Sequence, residues 1–281
     1  EAVAFFAGRA WYGGPTSSAI AGTVYFSQII ENDANIGRCF QEADPTSEEI
    51  SDLIDTDGGV ILIPEAGNIL SMRVTDESLL VFAVNGVWAI SGSGGGGFTP
   101  TNFVVASIGD AGLLGKRSLV DVEGVPLWWS ERGVYSIGRN EVTDRIEAKS
   151  ISEQTIQTYY DDVIPNLSKT FCQGSYDPVS KKVTWLWNAA GNSGSYQYKY
   201  DKALVFDTNI GGFYPFTFGS LASNTPYVFG VFVLPTVSKT SQTNTIIQTS
   251  TGNNVIQTST GNNVVADVEV LRSATNTTAF I

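Results

Sequence analysis

An all-β fold, a β-propeller built from repeated aromatic hairpins, is predicted by three features of the chain. The first is the stretch 79–90, LLVFAVNGVWAI. It reads as an apolar strand, then Asn85-Gly86, then the return strand Val87-Trp88-Ala89-Ile90. Asn-Gly is the dipeptide that best tolerates positive φ at both centres of a type I′ turn. The second is a copy 47 residues later: Leu127-Trp128-Trp129-Ser130, a turn at Glu131-Arg132-Gly133, then Val134-Tyr135-Ser136-Ile137. Gly86 matches Gly133, Trp88 matches Tyr135 and Ile90 matches Ile137, so these positions define the repeat. A hairpin recurring every 40 to 50 residues or so has the period of propeller blades. The third is composition. The 281 residues include 29 glycines, 11% aromatics and 1 methionine, a mix that suits strands and turns better than helices.

The remaining elements fit this frame in order. Arg9-Ala10-Trp11-Tyr12-Gly13 and Gly22-Thr23-Val24-Tyr25-Phe26 flank a Gly/Pro/Ser turn and form a further hairpin. An insertion follows at 31–57. Residues 44–54 carry the strongest helix signal in the chain, with Thr46 and Glu49 as a capping box and Ile50, Leu53 and Ile54 as a narrow apolar stripe. Asp55-Thr56-Asp57-Gly58 resembles part of a calcium loop, but Leu53 and Pro64 would occupy its first and twelfth ligand positions. A turn before the strand Val60-Ile61-Leu62-Ile63 is expected instead. Gly92 to Gly97 satisfies G-x-G-x-x-G literally. Because Phe98-Thr99-Pro100 follows it rather than a helix, a plain inter-strand loop is expected, not a dinucleotide site.

Strands are expected at 103–108 and 118–122. Residues 143–165 read as a second insertion, or as a crossing between blades, with a short helix ended by Pro165. Strands resume with Val183-Thr184-Trp185-Leu186-Trp187, a hairpin of Ala203-Leu204-Val205-Phe206-Asp207 with Phe213-Tyr214-Pro215-Phe216, and an apolar strand within 227–234. These assignments place a propeller-like domain at 1–238. A Thr/Ser/Asn-rich β-ribbon or extension is expected at 239–281, which contains IQTSTGNNV twice in tandem.

Charge narrows the function. Sixteen basic against 28 acidic residues give a net charge of −12, which argues against stable nucleic-acid binding, since phosphate contacts need clustered Lys and Arg. Nine acids lie between Glu31 and Asp57 against the single base Arg38. Glu31, Asp33, Glu42, Asp44, Glu48, Glu49, Asp52, Asp55 and Asp57 therefore form a candidate acidic channel or interface surface, repelling DNA or docking a basic partner. Histidine is absent, which removes Ser-His-Asp chemistry and the commonest general base. Cys39 and Cys172 show no zinc or redox spacing and are expected to be free, buried thiols. No cofactor, no catalytic metal and no enzymatic activity are expected, and no apolar run is long enough to span a bilayer. The chain begins at Glu1 rather than Met and shows no secretory signal pattern, so it is expected to be a fragment or a processed protein.

Several segments together resemble one family. They are Arg9-Ala10-Trp11-Tyr12-Gly13, Val24-Tyr25-Phe26-Ser27, Asp55-Thr56-Asp57-Gly58-Gly59, Leu80-Val81-Phe82-Ala83-Val84-Asn85-Gly86-Val87-Trp88 and Trp129-Ser130-Glu131-Arg132-Gly133-Val134-Tyr135. Tyr176-Asp177 with residues 183–187 extends the series. In this order they resemble the tail nozzle proteins (tail tubular protein B type) of short-tailed phages. The resemblance covers roughly residues 5–215. It implies a propeller-bearing subunit of a homo-oligomeric ring, six subunits in the family, around the DNA-exit channel of a virion assembled in the host cytoplasm. The implied partners are the tail adaptor, tail fibre or spike proteins, and double-stranded DNA that passes without tight binding. The repetitive Thr/Asn segment is not part of the family pattern. The alternative is a carbohydrate-binding or glycoside-processing propeller, with Trp128, Trp129, Trp185 and Trp187 as stacking platforms and Asp161-Asp162 as a carboxylate pair. Adjacent acids on a strand would point to opposite faces, which counts against that pair.

Overall fold

The computed structural model describes residues 2–15, 17–42, 54–75, 77–140, 145–191, 198–218, 228–234 and 277–280. It is all-β, with four four-stranded antiparallel sheets, each formed by four strands consecutive in sequence. The first holds β1 (Ala2–Phe6), β2 (Arg9–Gly13), β3 (Thr23–Phe26) and β4 (Gly59–Leu62). The second holds β5 (Ile69–Val74), β6 (Ser78–Ala83), β7 (Gly86–Gly92) and β8 (Phe103–Gly109). The third holds β9 (Val120–Val122), β10 (Val125–Ser130), β11 (Gly133–Arg139) and β12 (Ile146–Ser150). The fourth holds β13 (Gln173–Asp177), β14 (Lys182–Trp187), β15 (Lys202–Asp207) and β16 (Gly212–Thr217). Two six-residue helices, α1 (Gln157–Asp162) and α2 (Asn166–Phe171), join the third sheet to the fourth. A fifth, two-stranded sheet pairs β17 (Val231–Leu234) with β18 (Thr277–Phe280), so the last strand returns across the boundary expected near 238.

The sheets pack face to face in series, and period-2 alternation explains how. In the second sheet Leu79, Val81, Trp88 and Ile90 face the first sheet, joining Trp11, Val24, Phe26 and Ile61. The alternate residues Leu80, Phe82, Val87 and Ala89 face the third sheet, where they meet Trp128. Trp129, the next residue, points the other way into a cluster with Trp185, Trp187, Leu204 and Phe206 of the fourth sheet. Both faces of the central strands β6 and β10 are buried, so these two read as nearly unbroken apolar runs rather than as alternation.

The two repeat hairpins have one register. Ala83 pairs with Gly86, and Ser130 pairs with Gly133. Trp88 and Tyr135 are each the third residue of the third strand, and each faces the preceding sheet. The turn chemistry differs from expectation. The central residues of the β6–β7 turn are Val84 and Asn85, and neither they nor Gly86 has positive φ. Gly86 is required for space, because a Cβ there would lie 2.6 Å from the Gly109 carbonyl oxygen. Turns with positive φ at both centres occur instead at Ala7-Gly8 (50° and 70°) and Glu123-Gly124 (53° and 88°), the tips of the β1–β2 and β9–β10 hairpins.

Of the two readings of residues 143–165, the fold has the crossing between sheets rather than the insertion. Their described part supplies β12, which pairs with β11 along its whole length, and all of α1. Pro165 does not simply stop a helix, because it is also the N-cap of α2. The Gly92 to Gly97 stretch is the inter-strand loop expected, linking β7 to β8, and it carries Phe98 back between the first two sheets. There the Phe98 ring lies 4.7 Å from Trp11 and 5.3 Å from Phe26, centroid to centroid. The helix expected at 44–54 lies outside the described residues apart from Ile54, which is not helical. The tandem IQTSTGNNV copies also lie outside them. Among the described residues no helix is long and apolar enough to cross a membrane.

Candidate functional site

The acidic insertion leaves the first sheet after β3 and returns at β4, and its root is built around Arg9. This side chain is buried at 1% exposure at the start of β2. Its Nη1 donates to the carbonyls of Ser27 (2.7 Å), Thr56 (3.4 Å) and Asp57, and its Nη2 donates to that of Asp55. The guanidinium also lies 5.7 Å from the centroid of the Phe26 ring. Burial pulls its pKa below the ordinary arginine range, while the Asp57 and Asp55 carboxylates act in the opposite direction.

The nine predicted acids do not form one surface. Asp57 is 2% exposed and works inside the fold: its carboxylate accepts from the backbone amides of Glu42 (2.8 Å) and Ile54 (3.0 Å). It thereby clips together the two chain ends that enter and leave residues 43–53, which is why it cannot serve as a surface charge. Asp55 is exposed and accepts from Thr101 Oγ1 at 2.6 Å, tying the insertion to the loop after Phe98. Glu31, Asp33 and Glu42 are exposed. Asp44, Glu48, Glu49 and Asp52 lie outside the described residues. Tyr12 donates to the Ile36 carbonyl at 2.8 Å, which lays the insertion along the face of the first sheet that points away from the second.

The repeat-defining residues are structural. Trp88 is 8% exposed, and Tyr135 stacks on Trp128 at 6.0 Å. A Cβ at Gly133, where φ is 146°, would lie 2.3 Å from Ser152 Oγ. The four tryptophans considered as sugar platforms are all at 0% exposure, so they present no face to a ligand. Asp161 and Asp162 stand on α1 rather than on a strand. Asp161 accepts from Gln157 Nε2 at 3.1 and 3.0 Å, and the same nitrogen donates to the Arg132 carbonyl at 2.7 Å, so Asp161 braces the β10–β11 turn. Cys39 is half-buried and Cys172 fully buried, both unpaired, and burial raises both thiols above their usual range. Among the described residues no three His, Cys, Asp or Glu side chains gather where a metal ion could be held.

One charged feature escaped the sequence reading. Arg117, on the short turn Lys116–Ser118, stacks over the Tyr198 ring with its Cζ 4.4 Å from the centroid. The turn is fixed from beneath: Ser118 Oγ donates to the Gly115 carbonyl at 2.7 Å, and Trp185 Nε1 donates to the Ser118 carbonyl at 2.9 Å. Lys116 and Arg117 are therefore exposed on a rigid support. Nothing local in the sequence shows that residues 117 and 198 meet, because the contact exists only once the third and fourth sheets pack.

No family model matches this chain, and no curated protein sequence matches it. Among solved structures, three variants of an apocarotenoid oxygenase from Synechocystis align with 83% of this chain. Their identities are 8%, 9% and 10% and their TM-scores 0.33, 0.32 and 0.30. The chain spans 48%, 48% and 62% of the length of those structures. Likeness at that level carries no argument about activity.

Proposed function

We propose that this chain is a structural virion protein, a subunit of the tail nozzle ring around the DNA-ejection channel of a short-tailed phage. The observation that carries the reading is the ordered series of segments resembling nozzle proteins. Its members fall on successive parts of the fold: β2, β3, the turn from Asp55 leading into β4, the β6–β7 hairpin, the β10–β11 hairpin and β13 with β14. Burial of Trp128, Trp129, Trp185 and Trp187 weighs against the carbohydrate reading. In this proposal the acidic balance keeps a passing polyanion from adhering. Acidic walls repel phosphate over roughly 8 to 10 Å at physiological salt, whereas basic walls would release counterions and hold the duplex. Imaging of the assembled particle tests the proposal. A ring of these subunits on the tail axis is expected, in contact with the adaptor and the fibre or spike proteins. Its absence from purified virions, or glycan-array binding by the isolated chain, overturns the reading.

A further inference from the structure

Asn85-Gly86 is the only Asn-Gly dipeptide in the chain. Of all dipeptides this is the one most prone to lose its side-chain amide, because glycine has no side chain to hinder attack by its own backbone nitrogen. In that reaction the Gly86 nitrogen bonds to Asn85 Cγ. The Cγ–Nδ2 bond breaks, and Nδ2 leaves as ammonia with the proton that the backbone amide gives up. The product is a five-membered succinimide. Water then opens it at either carbonyl, giving aspartate or isoaspartate, and no oxidant or reductant is consumed.

The fold holds the two reacting groups in separate places. Asn85 Nδ2 donates to the Glu65 carbonyl at 3.1 Å, and the Asn85 backbone amide donates to the Ala66 carbonyl at 3.2 Å. Val84, one residue earlier, donates to the Asn68 carbonyl at 3.0 Å. The β6–β7 turn is thereby clasped to residues 63–68, the linker between the first and second sheets. Gly86 is buried at the head of β7 and pairs with Ala83. Ring closure requires the carboxamide to leave Glu65 and swing over Gly86, so the clasp must open first. Asn85 itself is exposed, and water reaches the turn once it opens.

Conversion also removes the means of closing again. Aspartate puts a carboxylate where an N–H donor stood, facing the Glu65 carbonyl. Isoaspartate does the same and routes the backbone through the former side chain. That adds a methylene to a hairpin loop whose only residues are Val84 and Asn85. Loop length sets hairpin register, so the lengthened loop no longer matches the Ala83–Gly86 pairing.

We propose that Asn85-Gly86 is a spontaneous modification site gated by this clasp. It remains an amide while the turn is held to Glu65 and Ala66, and it converts during local opening. Its isoaspartate product then keeps the turn from closing. The second sheet thus carries a one-way covalent record of how often its central hairpin has opened. None of this rests on a place in a phage tail.

Peptide mass mapping of the purified full chain, aged in mildly alkaline buffer with and without urea, tests it. The mass change reads conversion of amide to acid at Asn85, and enzymatic methylation of isoaspartate reads the isomer. Conversion is expected to run about tenfold or more slower in the folded chain than in urea, because the bonds to Glu65 and Ala66 must open first. Gly67→Ala loosens the clasp without touching the dipeptide. Its Cβ would lie 2.9 Å from Asn85 Nδ2, at a φ of 66° that disfavours alanine. This variant is expected to convert about threefold or more faster than wild type in buffer, and at the wild-type rate in urea. Aged chains carrying isoaspartate, separated by anion exchange, are expected to unfold at a lower urea concentration than unaged ones. Equal wild-type rates in buffer and in urea overturn the proposal, and that comparison decides even where Gly67→Ala does not fold. A folded Gly67→Ala chain that converts no faster than wild type also overturns it. So do isoaspartate chains that keep the wild-type urea midpoint, since the turn would then close as before.

Discussion

Arg9 shows how far one side chain can determine a site. It sits near the start of a strand, yet its donors collect the carbonyls of Ser27 and of residues 55–57, so the root of a 27-residue insertion is set by an arginine far from it in sequence. Arg9→Met keeps the packing stem but leaves buried carbonyls without donors, each of which costs about 1 to 3 kcal/mol. A loss of roughly 3 kcal/mol or more in urea unfolding is expected. Trp88→Ala, which empties a position between the first two sheets, is expected to cost about 3 to 5 kcal/mol by the same measurement. Tyr200 supplies a pH signature. Burial, with the Cys172 thiol nearby, pushes its phenol up to about 12, with Arg117 opposing. The neutral form is thus favoured by the fold, so the unfolded chain releases this proton first as pH rises. Stability is full below the ordinary tyrosine range near pH ~10 and falls between there and about pH 12. Tyr200→Phe is expected to flatten that decline in urea midpoints measured from about pH 8 to 12.

At the scale of the element, sequence pattern was informative where a strand carried aromatics and ended in a recognisable turn, and weak elsewhere. The hairpins around Gly86 and Gly133, the β2–β3 pair and the β15–β16 pair were legible in this way. Strand β1 was missed because Ala2–Phe6 is short and leads into Ala7-Gly8, where an alanine occupies a position that favours Gly or Asn. Strand β12 was missed because its half-exposed, mixed-charge sequence, IEAKS, has no apolar stripe. The misplaced turn at Asn85 has a tertiary cause. Asn85 donates through its amide nitrogen to the Ala66 carbonyl at 3.2 Å and through Nδ2 to the Glu65 carbonyl at 3.1 Å, and these bonds hold it outside the conformation its dipeptide favours. Of the candidate site, the acidic insertion was legible as composition. The internal role of Asp57 was not, because it depends on which amides the folded loop brings to it. Ala7→Asn is expected to raise stability by about 0.5 to 1 kcal/mol in urea unfolding, since φ there is already 50°. Asn85→Gly is expected to give no such gain.

For the whole molecule, the balance of 28 acids against 16 bases matters more than any single carboxylate. Retention of duplex DNA by the purified chain is expected to be negligible even at ~50 mM salt, checked by gel shift, because too few clustered cations are present to release counterions. Tight binding at that salt would mean that the cations around Arg117 outweigh the surrounding acids.

The linker between the second and third sheets has a mechanical consequence. Leu113 gives its amide to the Ala83 carbonyl at 2.8 Å, and the next residue, Leu114, gives its own to the Trp129 carbonyl at 3.2 Å. Gly112 and Gly115 flank them, since a Cβ at either would lie 1.8 Å from the Val84 oxygen or 2.1 Å from the Thr170 oxygen. Adjacent amides are thus riveted to two different sheets with no slack between them. A pull along the chain cannot peel one sheet from the other bond by bond. It must shear both anchors at nearly the same extension, so a single-molecule stretching trace is expected to show these two sheets yielding in one step rather than two. In the Gly112→Ala variant, whose linker must shift away from Val84, that step is expected to split.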